Sequence, residues 1–143
     1  MFDTPVRSVM QRHKLLKAAP QTLVIEAAKL MAAKKVGAII VVEDECLVGI
    51  FTERDVVCRV VARGLDAKAT RLADVMTRDP KTVEPDRPFG AALLTMHEHG
   101  FRHLPVIEDG KPVGIVSARS AMDPELEEFV SEAQRREHYG AKR

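Results

Sequence analysis

An internal repeat constrains the fold of this sequence more than any other feature. The segment Val48–Asp55, VGIFTERD, returns 65 residues later as Val113–Ser120, VGIVSARS. Alignment of residues 20–55 with residues 85–120 at this offset gives ten identical pairs. The identical residues of the first copy are Pro20, Ala27, Met31, Val41, Glu43, Asp44, Val48, Gly49, Ile50 and Arg54. A repeat of this length predicts two copies of one supersecondary unit that share a core, since 143 residues leave little core for two independent domains.

Both copies predict the same elements. Apolar residues at i, i+3, i+4 and i+7 start at Val24 in the first copy and at Phe89 in the second, which predicts an amphipathic helix in each. Two short apolar runs joined by a polar turn follow each helix, which is typical of a β-hairpin. These runs are residues 38–42 and 47–51 in the first copy, and 104–107 and 112–116 in the second. The predicted unit is strand-helix-strand-strand-helix, and the fold class is α/β (α+β).

The second helix of the first copy is predicted from about Glu53 to Arg63, with Gly64 as a left-handed C-cap. Its middle, residues 56–62, is apolar around most of the circumference, which is expected of a helix that is covered on two sides. We interpret it as a buried homodimer face.

The repeat and its flanks divide the chain into three predicted parts. Unit one spans residues 6–64 and unit two residues 72–122, leaving residues 123–143 as a C-terminal helix and tail. Asp123 as N-cap, Pro124 at the first helical position and the acidic residues that follow predict this helix.

Composition excludes several classes of function. The 22 basic and 21 acidic residues leave a net charge of +1, without a basic stripe for nucleic acid. No apolar run approaches the roughly 20 residues that cross a bilayer. Cys46 and Cys58 are expected to be reduced thiols, and the cytoplasm is the expected compartment. No pattern of catalytic or metal-binding residues is recognised, so we expect no enzyme activity and no metal site.

The signature Thr52–Asp55 lies where a strand is predicted to end and a helix to begin. Free amides of the first helical turn favour a phosphate there, Thr52 offers a hydroxyl, and the Asp55 carboxylate can accept from the two hydroxyls of a ribose. The alternative is a capping box, in which Thr52 and Asp55 satisfy each other's backbone amides. The sequence leaves both interpretations open.

These residues resemble the cystathionine β-synthase (CBS) domain family, whose members occur as tandem pairs called Bateman modules. The resemblance covers roughly residues 6–122. It rests on the repeat length, on Asp74-Val-Met76, on His103-Leu-Pro-Val106, and on Gly49-Ile-Phe-Thr-Glu-Arg-Asp55. It implies two units related by a pseudo-twofold axis and packed as one module.

The resemblance also implies a ligand cleft that combines the signature of one unit with two strands of the other. Val83 and Leu104 would sandwich a base, the backbone beside Val83 would read the adenine edge, and Pro105 would shape the wall. The full implied set is Thr52, Arg54, Asp55, Lys81, Val83, His103, Leu104 and Pro105, in which Lys81, Arg54 and His103 would contact phosphates.

The second cleft departs from the family pattern. Ser120 replaces the aspartate and Ala38 replaces the histidine, so the ribose loses its best acceptor and we expect a weaker site. Its implied residues are Ala18, Ile39, Ser117, Arg119 and Ser120.

The implied function is a non-catalytic regulatory module that binds an adenine nucleotide, namely AMP, ADP, ATP or NAD(H), and acts as an energy or redox sensor. Homodimerisation and an effector protein are the expected partnerships, without nucleic acid or membrane. A structural dimerisation module without a physiological ligand is the alternative.

Overall fold

The computed structural model describes residues 2–10, 15–120 and 132–136. In chain order the elements are α1 (Val6–Val9), β1 (Lys17–Ala18), α2 (Val24–Lys34), β2 (Ala38–Glu43), β3 (Cys46–Thr52), α3 (Glu53–Asp55) continuing into a π-helical segment (Val56–Val61), α4 (Leu72–Val75), β4 (Thr77–Arg78), α5 (Phe89–His99), β5 (His103–Glu108) and β6 (Lys111–Ser117). Residues 132–136 are helical; the rest of the predicted C-terminal helix and tail lies outside the described residues.

The two long helices bury the predicted stripes. Val24, Ala27 and Met31 are buried in α2, and the equivalent residues of α5 are buried in the second unit. Each helix ends in a left-handed residue at the equivalent position, Lys35 with φ 56° and Gly100 with φ 70°. The 65-residue offset therefore extends to the caps of the helices.

The hairpins also match residue for residue. Ala38 pairs with Thr52 in the β2–β3 hairpin, and His103 pairs with Ser117 in the β5–β6 hairpin. The register shifts between Val41 and Val42 in one hairpin and between the equivalent residues 106 and 107 in the other. The prediction of a mixed α/β fold with two equivalent units is confirmed.

The opening segments of the two units are exchanged. Val6 of α1 is buried with Phe89 in the core of unit two, whereas Leu72 and Val75 of α4 are buried in the core of unit one. β4 likewise pairs antiparallel with β3, so a strand from residues 77–78 completes the four-stranded sheet β1-β2-β3-β4. The sequence prediction did not include this crossing.

The two sheets meet in a third apolar cluster. Ile50 of β3 and its repeat equivalent Ile115 of β6 pack there with Ala38 and Ile40. Gly49 comes directly before Ile50 in β3. A Cβ atom at Gly49 would lie 2.5 Å from the Met76 sulfur. A side chain at Gly49 would force Met76 to move and would crowd the Thr77 carbonyl oxygen, 3.0 Å from the same position, so glycine favours the close approach of β3 to the segment after α4.

The described residues contain no helix that is long and apolar enough to span a bilayer.

Candidate functional site

A cavity of about 300 Å³ lies between the two units, beside the signature of unit one. Its walls come from the end of β3 and the following helix, from the segment after β4, and from the loop that joins α5 to β5. The lining residues are Ile50, Thr52, Glu53, Arg54, Asp55, Cys58, Arg59, Thr77, Pro80, Lys81, Gly100, Phe101, Arg102 and His103. Five predicted site residues, Thr52, Arg54, Asp55, Lys81 and His103, therefore line one cavity.

Thr52 and Asp55 form a reciprocal capping box at its wall. The Thr52 amide donates to Asp55 Oδ2 at 2.9 Å, and the Asp55 amide donates to Thr52 Oγ1 at 3.3 Å. The Thr52 hydroxyl also lies 3.2 Å from Asp55 Oδ2. The capping interpretation is thus realised in the structure, although both side chains also border the cavity.

Arg59 holds the other carboxylate oxygen of Asp55. Its Nε lies 3.5 Å from Asp55 Oδ1, and its Nη1 donates to the carbonyls of Val75 and Met76 at 3.2 and 3.0 Å. Sequence reasoning missed Arg59 as a cavity residue. The i, i+4 spacing from Asp55 was the available signal.

The first-turn amides are less available than the sequence predicted. The Glu53 amide donates to the Gly37 carbonyl at 2.9 Å, and the Asp55 amide is used by Thr52. The expectation of free amides for a phosphate is wrong for these two groups, because the neighbouring strand and the capping box satisfy them.

Arg54 and His103 line the cavity from opposite units. Arg54 donates to the Gly100 carbonyl at 3.1 Å and so connects the helix of unit one to the C-cap of α5 in unit two. His103 is half-buried, and burial lowers its pKa; the nearby Glu53 charge opposes this effect and the Arg102 charge adds to it. His103 is therefore mainly neutral at pH 7.

Three residues that the resemblance implies do not line this cavity. Leu104 is 1% exposed in the core of unit two, and Pro105 is buried in the same strand. Val83 packs against that core, and its own amide and carbonyl bond to Pro105 and Ile107 of β5 at 3.1 and 3.0 Å. Leu104 is too deeply buried for the predicted sandwich of a base between Val83 and Leu104. The predicted reading of the adenine edge by the backbone beside Val83 stays a prediction, since these two hydrogen bonds engage the amide and carbonyl of Val83 itself.

Other residues supply the apolar wall. Ile50, Cys58, Pro80 and Phe101 line the cavity, and none was predicted to do so. Phe101 follows the Gly100 cap, and its amide donates to the Met96 carbonyl at 2.9 Å. A hydrophobic residue directly after a glycine cap is a recognisable feature of helix ends, and it could have indicated that Phe101 has a fixed position.

In the second cleft, the signature residues Ser117 and Ser120 contact each other. The Ser117 amide donates to Ser120 Oγ at 2.8 Å, the two hydroxyl oxygens lie 3.3 Å apart, and Ser120 is 4% exposed. Ile39 is fully buried and Ala18 packs against the core of unit one.

Of the five residues implied for the second cleft, Arg119 lines a further cavity of the described structure. That cavity has a volume of about 430 Å³ and is also lined by Ala28, Met31, Ala32, Lys35, Val36, Gly37, Glu53 and Val56.

The π-helical segment carries a buried and an exposed side. Val60 is 2% exposed, whereas Val57 and Val61 are 61% and 68% exposed. Leu65 and Leu94 are further exposed apolar residues. One apolar side of this segment is covered within the chain, and Val57 and Val61 remain exposed on the other; its predicted cover by a second copy of the chain stays a prediction.

Comparisons with known proteins identify the family. The CBS domain model matches residues 6–62 and 72–124. The chain is 42% identical over 125 residues to meiotically up-regulated gene 70 protein of Schizosaccharomyces pombe, covering 79% of this chain and 17% of that protein. It is 36% identical over 121 residues to CBS domain-containing protein CBSX3, mitochondrial, of Arabidopsis thaliana, covering 81% of this chain and 59% of that protein. The chain thus spans less than two thirds of these relatives.

Solved structures are also similar. A conserved protein from Pyrococcus horikoshii matches with a TM-score of 0.80 and 33% identity, over 87% of this chain and 94% of that one. A protein with CBS domains from Burkholderia ambifaria matches with a TM-score of 0.79 and 33% identity, over 86% and 94%. A CBS domain protein from Pyrobaculum aerophilum complexed with AMP matches with a TM-score of 0.74 and 25% identity, over 82% and 89%.

Proposed function

This chain belongs to the CBS-domain family, and on that premise we propose that the cavity between its two units binds an adenosine nucleotide for regulation rather than catalysis. The observation that carries the proposal is the convergence of Thr52 and Asp55 from unit one with Lys81 and His103 from unit two around one cavity. The AMP complex of the Pyrobaculum relative supports an adenosine ligand.

Cavity size favours a mononucleotide. Pockets for small molecules have volumes of about 300–1,000 Å³, and this one, at about 300 Å³, lies at the lower limit. AMP, with one phosphate and one base, therefore fits the proposal better than ATP or the dinucleotide NAD(H).

The lining suggests one orientation of the ligand. Ile50, Pro80 and Phe101 offer apolar contact to the base, while Lys81 and His103 would contact the phosphate. Asp55 already accepts from Thr52 and lies near Arg59, but a carboxylate has about four lone-pair sites. The ribose hydroxyls would use the remaining acceptor capacity.

Assembly is part of the proposal. Val57 and Val61 of the π-helical segment expose apolar surface, and a second copy of the chain would cover it in a homodimer. Nucleotide occupancy would then be reported to an effector protein as a measure of cellular energy. The cytoplasm is the proposed compartment, in keeping with the unpaired Cys46 and Cys58.

A structural dimerisation module is the second candidate, and one observation favours it. The capping box accounts for the Thr52 and Asp55 contacts without a ligand. Under this alternative the exposed valines would be the functional surface, and the cavity would have no physiological occupant.

Thermal unfolding with AMP, ADP, ATP and NADH distinguishes the two candidates. A ligand present at 100 times its dissociation constant stabilises the folded protein by about 2.7 kcal/mol, so we expect a clear rise in melting temperature with AMP. Adenosine and inorganic phosphate tested separately provide the controls. No shift with any nucleotide at millimolar concentration would favour the structural module.

A further inference from the structure

Glu53 borders both of the cavities described above. It is the residue shared by the lining of the 300 Å³ cavity and that of the 430 Å³ cavity. Its backbone amide is fixed to the Gly37 carbonyl at 2.9 Å. The first residue of α3 therefore has a defined position beside both cavities.

Gly37 makes room for the Glu53 carboxylate. A Cβ atom at Gly37 would lie 3.0 Å from Glu53 Oε1 and 3.2 Å from Glu53 Cδ. The same atom would lie 3.4 Å from Cε1 of His103. The carboxylate of one unit and the imidazole of the other thus converge over one glycine.

The Glu53 carboxylate has no direct partner in the described structure, although cationic side chains line both cavities. Within residues 2–10, 15–120 and 132–136, the Glu53 carboxylate has no hydrogen bond and no ion pair. By contrast, Asp55, the other acid of the cavity, is held by Thr52 and Arg59. Glu53 is exposed, so its charge is screened by solvent, but it is not cancelled by a direct ion pair and still repels an incoming anion.

The field of Glu53 reaches the end of the cavity where the proposed phosphate would lie. Burial lowers the pKa of His103, and the Glu53 charge is the effect that opposes it. The two side chains are therefore electrostatically coupled. A phosphate placed beside His103 would experience the same negative potential.

We infer that Glu53 is a specificity-determining residue, whose unpaired carboxylate at the border of both cavities disfavours ligands with two or three phosphates relative to a nucleoside monophosphate. This inference rests on the proposed nucleotide function. Additional phosphates add negative charge near the carboxylate, and like charges across an otherwise matched site are a common basis for discrimination. At surface-like screening and separations of several ångströms, this repulsion changes relative affinity by roughly 3- to 10-fold.

Calorimetric titration of AMP, ADP and ATP in magnesium-free buffer tests the inference. The comparison is between the wild-type chain, Glu53→Gln and Glu53→Ala. Both variants remove the charge without touching the capping box. We expect the ratio of the ATP to the AMP dissociation constant to fall about 3- to 10-fold in both, with ADP intermediate, and the change to shrink at about 0.5 M salt.

Two further variants serve as controls. Glu26→Gln removes an exposed acid from the first turn of α2 and is expected to leave the ratio unchanged. Glu53→Asp keeps the charge and is expected to keep most of the discrimination. Thermal unfolding of every variant verifies that the fold is retained.

The outcomes separate the inference from the function on which it rests. If the wild-type chain binds AMP and the two neutral variants leave the ratio of the ATP to the AMP dissociation constant unchanged, the role of Glu53 is overturned and the proposed function stays intact. Failure of the wild-type chain to bind any of the three nucleotides would overturn both. If Glu26→Gln changes the same ratio by an equal amount, the net charge of the protein explains the effect, and the role of Glu53 is overturned as well.

Discussion

Asp55 accepts two hydrogen bonds from Thr52, one from the amide at 2.9 Å and one from the hydroxyl at 3.2 Å. The equivalent pair in unit two, Ser117 and Ser120, makes the same amide contact at 2.8 Å through a hydroxyl. Serine can therefore provide the cap at this position without a carboxylate. The repeat itself thus suggests how to separate capping from ligand binding.

Substitution of Asp55 should affect stability and affinity differently. Asp55→Ala loses the reach-back cap and should cost about 0.5–2 kcal/mol of stability. It should also weaken AMP binding roughly 10- to 150-fold, because it removes a charged hydrogen-bond acceptor.

Asp55→Ser is the matched variant, and it should keep most of the stability while losing a similar part of the affinity. Chemical denaturation and calorimetry measure the two quantities. Wild-type affinity in both variants would mean that Asp55 is only a helix cap.

His103 should make stability depend on pH. Burial lowers its pKa in the folded state below the ordinary value of about 6.5. The unfolded chain then binds more protons between the folded and unfolded pKa values. Stability is therefore complete above about pH 6.5 and decreases as the pH falls toward the folded pKa.

Melting temperatures at pH 7.5 and 5.5 test this effect in the wild-type chain and in His103→Gln. The glutamine variant should lose less stability on acidification, because it has no proton to gain. An equal loss in both proteins would assign the acid sensitivity to other groups.

Lys35→Gly should stabilise the chain. Lys35 ends α2 with φ 56°, a left-handed conformation that costs a non-glycine residue about 1–2 kcal/mol. Glycine relieves this strain but adds entropy to the unfolded chain, which leaves a net gain of about 0.5–1 kcal/mol. Urea denaturation measures the difference. The equivalent position in unit two already has Gly100 with φ 70°, so Gly100→Lys is the reciprocal control and should destabilise.

Charged substitution of the exposed valines should prevent self-association. Val57→Glu combined with Val61→Glu is expected to give a species of 15.9 kDa by light scattering, against twice that mass for the wild-type chain. Lys68→Glu, at another exposed position, controls for the change of charge. A monomeric wild-type chain over the whole micromolar range would contradict the homodimer.

The repeat made much of the fold predictable. The 65-residue offset anticipated the equivalence of the hairpins, and periodicity identified the buried sides of α2 and α5. It could not reveal the exchange of α1 and α4, because Val9-Met10 and Val75-Met76 have the same local pattern, and a local pattern does not say which core a segment joins.

The candidate site was less predictable than the fold. The resemblance predicts that the signature, Lys81 and His103 surround one cavity. It does not predict which residues form the apolar wall of that cavity. Leu104 is apolar and adjacent to His103, yet strand alternation turns successive side chains to opposite faces. Glu53 was passed over because a solvated acid at a helix start has no sequence feature that marks it as the border of a cavity.

The exchanged opening segments also affect folding. A fragment that stops at Gly64 would lack Leu72 and Val75 from its core, and a fragment that starts after it would lack Val6 against Phe89. Neither half can complete its interior until distant segments have met: Val6 packs with Phe89, 83 positions later, and the Leu72 amide bonds to the Thr22 carbonyl, 50 positions earlier. Long loops must therefore close before the contacts stabilise them. We therefore expect the whole chain to unfold in one cooperative transition, and separately expressed halves to gain stable structure only when mixed.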